Sequence, residues 1–231
     1  MLRSKIDEIA PSNVLNIQTM PFDLTEQIEE LVELQMIYKS AVKEISTKLE
    51  ILDDEFQSRH KRNPIHTIQS RVKTPESILR KLERKGLDIS LKSAKENLFD
   101  IAGIRVVCAY VDDIYTIANM LKSQDDITVM RVTDYIKNPK QNGYRSLHIV
   151  LKIPVFFSNH TELLPVEVQI RTIAMDFWAS LEHQLHYKAS DDIPDDLILE
   201  LKECADNISS IDLRMQNIHD TVEELSSTNN E

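Results

Sequence analysis

One stretch of the sequence groups four cations and a hydroxyl where they could bind an anion. Ser77, Lys81 and Arg84 are spaced four and three residues apart, so on a helix they share one face. Arg71 and Lys73 come just before the helix that this spacing predicts. The partial positive charge at a helix N-terminus also favours anions. The pattern indicates a phosphate-binding surface, although a solvated amphipathic helix can show the same spacing.

Two carboxylates could add metal binding and proton transfer to that surface. Asp100 stands just before the first predicted strand, and Glu167 lies in the last one, on the same strand face as Gln169. His148 lies on the polar face of the preceding strand. If the ends of these strands adjoin, Asp100 and Glu167 suit Mg²⁺ bound together with substrate phosphates, and one of them could accept a proton. These residues suggest Mg²⁺-dependent phosphoryl transfer.

Glycine content and charge exclude other kinds of site. Three glycines (Gly86, Gly103 and Gly143) cannot form a GxxxxGK[ST] or GxGxxG loop, so side chains must hold any phosphates. The net charge of −11 argues against a general nucleic-acid binder, and we expect no DNA partner. Residues 59–105 carry twelve Lys/Arg against five Asp/Glu, which favours a local anionic ligand.

The sequence favours a cytoplasmic location without a membrane anchor. The first residues, MLRSKIDEIAPS, are charged and lack an apolar core like that of a signal peptide. No apolar run approaches the roughly 18 residues of a membrane-spanning helix. The two cysteines, Cys108 and Cys204, are far apart and have no metal-ligand spacing, which fits a reducing compartment.

Long amphipathic helices are predicted at both ends of the chain. Apolar residues recur every three or four positions from Leu24 to Phe56, with Asp23 as a plausible N-cap. After Pro194 the same spacing is stricter, and it runs through Leu197, Leu201, Cys204, Ile208, Ile211, Met215, Ile218, Val222 and Leu225. So narrow a seam needs a partner helix, either the N-terminal helix or a neighbouring subunit. We expect a helical frame that also mediates self-association.

An α/β core lies between these helices. Thr74 and Pro75 predict the start of a short helix that Gly86 ends, and Ser90 can cap a second one through Leu98. Strands are predicted at 104–111, 128–135, 146–155 and 164–172. A last helix of the core carries Ile173, Phe177, Trp178, Leu181 and Leu185 on one side. The expected organisation is an N-terminal helical segment (1–58), a core (59–190) and an acidic amphipathic helix (191–231).

Four segments of this core resemble the RelA/SpoT-type alarmone synthetase domain. They are RVKTPESILRKLER (71–84), DIAGIRVVC (100–108), DYIKNPKQNGYRSLH (134–148) and VEVQIRTIAMDFWASLEHQLHYK (166–188), and they occur in the family's order. The resemblance implies a nucleotidyltransferase-like fold with a mixed sheet of about five strands. It also implies transfer of the β,γ-pyrophosphate of ATP to the 3′-hydroxyl of GDP or GTP, with release of AMP. We expect a small, single-domain synthetase that makes (p)ppGpp and does not hydrolyse it.

The resemblance assigns a role to each candidate site residue. Arg71 and Arg105 would sandwich adenine, while Lys73, Ser77, Lys81 and Arg84 would hold the ATP phosphates. Asp100 would bind Mg²⁺, and Glu167 would be either the general base or a second metal contact. The Asn142-Gly143 turn would present Tyr144 for stacking on guanine, and His148 and Gln169 would line the same GDP/GTP site.

The resemblance leaves other readings open. Relatives of this domain can pyrophosphorylate the 3′ end of tRNA, although the acidic tail and the intact NGYRSLH turn favour a free guanine nucleotide. A nucleotide-sensing scaffold without catalysis is a third reading, which the presence of both Asp100 and Glu167 argues against. The resemblance implies a homotetramer. The sequence does not decide between GDP and GTP.

Overall fold

The computed structural model of the chain describes residues 22–188 and 194–228. The described residues form six helices and five strands. The helices are α1 (Phe22–Arg59), α2 (Pro75–Arg84), α3 (Leu91–Asn97), α4 (Val111–Lys122), α5 (Ile173–Lys188) and α6 (Asp195–Thr228). The strands are β1 (Ile65–Val72), β2 (Ala102–Cys108), β3 (Thr128–Asp134), β4 (Leu147–Phe156) and β5 (Thr161–Thr172).

The five strands form one mixed sheet in the order β1-β2-β5-β4-β3. Strands β2 and β5 pair in parallel, and the other three pairings are antiparallel. The predicted mixed sheet of about five strands is therefore confirmed. Its centre contains β2, which begins just after Asp100, and β5, which contains Glu167.

One face of the sheet holds the hydrophobic core. Alternate apolar residues of β2, β5 and β4 point into it, as Val106, Val168 and Ile149 show with no exposure. Helix α1 covers this face and buries Tyr38 and Ile45 against it. The opposite face is left for polar side chains, which is what a substrate site on a sheet requires.

The division of the chain at 58/59 and 190/191 stays a prediction.

The capping residues of the short helices lie where the sequence predicts. The side chain of Thr74 accepts a hydrogen bond from the Ser77 amide at the start of α2. Gly86, with φ of 65°, follows the end of α2. Ser90 caps α3 in the same way as Thr74 caps α2.

Two elements escaped the sequence analysis. Strand β1 reads IHTIQSRV, with little apolar alternation, because it is an edge strand with most side chains exposed. Helix α4 begins at Val111, which was predicted to end a strand. Its apolar residues do follow a helical spacing, since Ile114, Ile117 and Leu121 are fully buried.

The last helix of the core, α5, packs through a different side from the one the sequence suggested. Of the predicted apolar side, only Trp178 is buried, and the other four members (Ile173, Phe177, Leu181 and Leu185) are 44–59% exposed. Met175 and Ala179 face the protein instead. Helix α5 therefore retains an exposed apolar stripe.

Among the described residues, helix α6 packs mainly against α5 and α4 and not along α1, which was one of the two partners that the sequence left open for its seam. Its buried face is also shifted from the predicted seam. Ala205, Asp212 and Gln216 are buried, and Asp212 accepts a 2.5 Å hydrogen bond from the Thr172 hydroxyl. Hydrogen bonding explains the shift, because the polar side chains of Asp212 and Gln216 are buried where they have hydrogen-bond partners in the core of the protein. The seam residues Ile211, Met215, Ile218, Val222 and Leu225 are exposed.

None of the helices in the described residues is both long and apolar enough to cross a membrane.

Candidate active site

The polar face of the sheet carries two rows of side chains, each running across neighbouring strands. In the first row the strand register aligns Gln69, Arg105, Gln169 and His148 on β1, β2, β5 and β4. The second row aligns Arg71, Gly103 and Glu167. Because Gly103 has no side chain, the Arg71 side chain can lie over this position, where a β-carbon would be 3.7 Å from it.

Asp100 precedes β2 and is held by two lysines that the sequence analysis singled out. Its Oδ2 atom accepts a hydrogen bond from Lys81 of α2 and lies 2.9 Å from the Nζ atom of Lys73. The main chain fixes Lys73, since its amide donates to the Ile101 carbonyl and its own carbonyl accepts from Gln35. The structure therefore brings two cations of the predicted ATP-binding set together with the first carboxylate.

The electrostatics of Asp100 favour the ionised form. Burial acts to raise the pKa of this carboxyl, but the hydrogen bonds and charges of Lys81 and Lys73 outweigh it, and the pKa lies below its ordinary value. The Oδ1 atom is buried and has no hydrogen-bond partner among the described residues. A buried anionic oxygen without a partner fits a hard cation such as Mg²⁺.

The other predicted ATP-binding residues lie around Asp100 and its two lysines. Arg71 and Arg105 line a pocket on the polar face together with Gln69 and Gln169. Ser77 and Arg84 lie one turn before and after Lys81 and are exposed on α2. All six predicted ATP-binding residues thus lie on β1, α2 and β2 or the turn between β1 and α2.

A chain of hydrogen bonds links the predicted GDP/GTP-binding residues to Glu167. The Tyr144 hydroxyl lies 2.8 Å from Nε2 of His148, whose Nδ1 lies 3.3 Å from Oε1 of Glu167. The Gln169 amide donates to Oε2 of Glu167 at 3.0 Å and accepts from Arg171 at 3.1 Å. A His148 tautomer that donates through Nδ1 and accepts through Nε2 would satisfy both of its contacts.

This chain sets the state of the second carboxylate. Burial acts to raise the pKa of Glu167, but the hydrogen bonds from His148 and Gln169 outweigh it, so the pKa lies below its ordinary value. The negative charge of Asp100 pushes in the opposite direction, to a smaller extent. Asp100 therefore lies close enough for its charge to act on Glu167.

Tyr144 lies in the loop between β3 and β4, residues 135–146, which we call the acceptor loop. Gly143 has φ of 88°, a conformation that favours glycine, so the predicted Asn-Gly turn is present. The Tyr144 ring meets that of Tyr135 edge-on at 6.0 Å. The Lys140 ammonium lies 4.7 Å from the Tyr144 ring centroid and 4.9 Å from the Tyr135 centroid. A base that stacked on Tyr144 would share this space with Lys140.

The sequence analysis gave no role to several residues of this site. Arg171 is 2% exposed, lies 5.9 Å from the Tyr144 ring centroid and orients Gln169. Asp176 of α5 lies 3.4 Å from Arg105 and 3.5 Å from Arg171. Strand alternation places Arg171 on the polar face, but its burial depends on α5, which the sequence does not orient.

Comparisons with known proteins agree with this geometry. The family model "Region found in RelA / SpoT proteins" matches residues 70–192, more than half of the chain. GTP pyrophosphokinase YwaC of Bacillus subtilis is 45% identical over 201 residues, which are 87% of this chain and 96% of that protein.

Solved structures show the same likeness. Small alarmone synthetase 2 from B. subtilis is 44% identical, with a TM-score of 0.75, over 82% of this chain and 97% of that one. Small alarmone synthetase 1 from B. subtilis, bound to its product pppGpp, is 38% identical, with a TM-score of 0.75, over 80% of this chain and 94% of that one. The chain therefore belongs to the RelA/SpoT family and groups, in sequence and in fold, with its small alarmone synthetases.

Proposed function

We propose that the protein transfers the β,γ-pyrophosphate of ATP to the 3′-hydroxyl of GDP or GTP, making ppGpp or pppGpp and releasing AMP. One observation carries this proposal. On one sheet face, a carboxylate held by Lys73 and Lys81 faces the same site as a second carboxylate linked through His148 to Tyr144. Relatives named as GTP pyrophosphokinases, and one solved with pppGpp, support the same reaction.

The donor half binds ATP. Arg71 and Arg105 present guanidinium planes that can stack on either face of adenine. Lys73, Ser77, Lys81 and Arg84 supply the positive charge and the hydroxyl that the triphosphate requires. Since little covalent chemistry falls to the protein in phosphoryl transfer, these cations act by alignment and by stabilising charge.

Asp100 is the residue best placed to hold Mg²⁺. Within residues 22–188 and 194–228 its Oδ1 atom lacks a hydrogen-bond partner, whereas each oxygen of Glu167 already accepts one hydrogen bond, from His148 or from Gln169. Bound Mg²⁺ would neutralise phosphate charge and polarise the transferred group. We assign the metal to Asp100 and leave Glu167 free for proton transfer.

Glu167 acts as the general base. As the 3′-oxygen of the acceptor forms a bond to the β-phosphorus of ATP, its proton passes to the Glu167 carboxylate. The bond between the β-phosphorus and the bridging oxygen breaks, and AMP leaves with that oxygen. The lowered pKa keeps Glu167 ionised at neutral pH, and His148 and Gln169 hold its orientation.

Tyr144, His148 and Gln169 bind the guanine nucleotide. The Tyr144 ring offers a stacking surface for guanine, a kind of contact worth roughly 1–3 kcal/mol per base. When guanine enters, Lys140 leaves the space between the Tyr135 and Tyr144 rings and becomes available for a phosphate of the acceptor.

We also propose self-association, with a tetramer as the expected state. The apolar stripe of α5 and the apolar seam residues of α6 between Ile211 and Leu225 are exposed in the single chain. An exposed apolar surface of this kind is typical of a protein–protein interface. Size-exclusion chromatography with light scattering tests this. A mass near 26.7 kDa, that of one chain, would contradict it.

A cytoplasmic location follows from the same proposal, since ATP and GTP are cytoplasmic substrates. Both cysteines are free, as a reducing compartment requires.

A product assay tests the function. Purified protein is incubated with ATP, Mg²⁺ and, in separate reactions, GDP, GTP, tRNA or no acceptor, and nucleotides are separated by anion exchange. We expect AMP to appear together with ppGpp or pppGpp, and to disappear with EDTA. AMP formed only with tRNA would replace the proposal by tRNA pyrophosphorylation. ATP binding without any AMP would indicate a nucleotide sensor.

A further inference from the structure

The back of the acceptor loop rests on the two last helices. The Asn142 side chain donates a 3.1 Å hydrogen bond to Glu182 of α5. Gly143 lies against α6 so closely that a β-carbon at this position would be 2.5 Å from the β-carbon of Ala205. Ala205 is buried there. Only a residue without a side chain allows the loop and helix to approach this closely.

Arg145 ties the same loop to α6. Its guanidinium donates to the Gly143 carbonyl at 2.9 Å, to the Ala205 carbonyl at 3.3 Å and to the Asp206 carboxylate at 2.8 Å. Its side chain is 14% exposed, while that of Asp206 is 49% exposed. One arginine thus bonds to the turn itself and to a helix about sixty residues later in the chain, and these contacts fix the loop on both sides.

Tyr144 belongs to the same packing unit. It lies against a small apolar cluster of Trp178, Ala179 and Ala205, separate from the main core. The Trp178 indole donates a 3.0 Å hydrogen bond to the Leu201 carbonyl and so joins α5 to α6. The ring that would stack on guanine is therefore supported from behind by α5 and α6 together.

We propose that α6 positions the acceptor loop for the guanine nucleotide, with Arg145, Asp206 and Ala205 as positioning residues. This inference rests on the proposed function. In the part of the chain that the structure describes, the hydrogen bonds of Arg145 and Asp206 do not involve Asp100 or its lysines, so α6 sets the affinity for the acceptor without touching the donor. Loosening the α6 contact lets the loop sample other conformations, and GDP or GTP then selects the competent one at a cost in affinity.

The first test compares three variants on one helix. Asp206→Asn removes the charge that Arg145 binds, Asp206→Glu keeps it, and Glu203→Gln removes a charge from an exposed position of the same helix. We expect Asp206→Asn to raise the KM for GDP about threefold to tenfold, as for a partly exposed ion pair that holds a loop. The KM for ATP and the kcat at saturating GDP should stay unchanged, and Asp206→Glu should restore most of the loss.

A second pair of variants tests the close approach. Ala205→Val adds methyl groups where Gly143 leaves no room, so the loop must move, and the KM for GDP should rise more than with Asp206→Asn. Ala205→Gly removes the contact atom without pushing the loop and should have a smaller effect. Far-ultraviolet circular dichroism and an unchanged KM for ATP would show that both variants fold.

Trp178 gives a readout that does not need catalysis. It is the single tryptophan of the chain and lies in the cluster behind Tyr144. We expect GDP to change its fluorescence in the unaltered protein and in Glu203→Gln at the same concentration, and in Asp206→Asn only at a higher one. This titration separates the two proposals, because it reports acceptor binding even in a protein that makes no alarmone.

Two results would overturn the inference. One is an equal rise in the KM for ATP and for GDP in Asp206→Asn, which would show a general loss of structure. The other is an unchanged GDP affinity in both Asp206→Asn and Ala205→Val, by kinetics and by fluorescence, which would show that the loop does not depend on α6.

Discussion

The donor and acceptor halves of the site are built in different ways. The donor residues lie within thirty-five positions of one another, from Arg71 to Arg105, on neighbouring elements that pack directly on the sheet. The acceptor half joins β4, β5 and a loop, and that loop is fixed by Glu182 and Asp206, 40 and 61 residues from their partners. Local sequence determines the first half, and tertiary packing completes the second.

This difference predicts how each half responds to change. A substitution in the donor half should change the KM for ATP alone. Lys73 and Lys81 both contact Asp100, and the Lys73 amide donates to the carbonyl of the nearby Ile101. The acceptor half can also be altered from a distance, through α5 and α6, because its loop depends on them. Asp100 and Glu167 should affect the transfer step more than the binding of either nucleotide.

Removing either carboxylate should produce the largest effect. We expect Asp100→Asn and Glu167→Gln each to lower kcat by about 10²- to 10⁴-fold, since one removes the proposed metal ligand and the other the proposed base. Binding of either nucleotide should change far less. AMP release under saturating ATP and GDP measures this, with Asp125→Asn, an exposed turn residue, as the control. Full activity in either site variant would contradict the assigned roles.

Single substitutions in the two halves should separate the two substrates. Lys81→Met removes the cation that we propose to bind the ATP phosphates and should raise the KM for ATP about 10- to 100-fold, leaving the KM for GDP unchanged. Tyr144→Leu removes the stacking ring and should raise the KM for GDP by a similar factor, leaving ATP unaffected. Tyr144→Phe keeps the ring and is the matched control. Initial-rate kinetics with each substrate varied in turn would show a failure as one substitution that moves both KM values.

The pH dependence should reveal the hydrogen bonds on Glu167. Its pKa is held below the ordinary value, so activity should be retained on acidification until the pH falls through that lowered pKa. His148→Ala removes one of the two hydrogen bonds that oppose burial, so the pKa should rise and activity should be lost at a higher pH. The acid limb of kcat/KM for GDP, between about pH 4 and pH 8, measures the shift. The limb should not move in Asp125→Asn.

The smallest effect should come from Asp212, where α6 meets the core. Burial raises the pKa of this carboxyl in spite of the Thr172 hydrogen bond, so the folded state favours the neutral form and loses stability as the pH rises through the interval between unfolded and folded pKa values. Asp212→Asn should therefore stabilise the protein at neutral pH by roughly 1 kcal/mol, or about 2–4 °C in Tm. At a pH below the ordinary value for aspartate the gain should vanish. Thermal unfolding at both pH values, with Glu224→Gln alongside, would reveal a pH-independent change if the explanation is wrong.

Much of the donor half could be read from the sequence because its rules are local. Helical spacing places Lys81 on the face that meets Asp100, and Thr74 and Gly86 fix the ends of α2. Strand alternation likewise separates Glu167 and Gln169 from the core residues between them. These features depend on neighbours in sequence, whereas the mixed pairing of about five strands was expected from the family resemblance.

The remainder depends on contacts that no local pattern encodes. Strand β1 is an edge strand with polar residues on both faces, so it lacks an alternating signal. The apolar spacing of α6 suggested the wrong buried face. The buried face contains Asp212 and Gln216, which accept hydrogen bonds from Thr172 and from the backbone of α4. The role of Arg145 could not be predicted either, since its partner Asp206 lies 61 residues away.

The fate of labelled phosphorus tests the central claim most directly. ATP labelled at the β-phosphate, and separately at the γ-phosphate, is incubated with GDP, Mg²⁺ and the protein, and the guanine product is isolated. Our account predicts that both labels enter the product in equal amounts, while label at the α-phosphate remains in AMP. Transfer of the γ-label alone, with ADP as the second product, would show an ordinary kinase and contradict pyrophosphate transfer at this site.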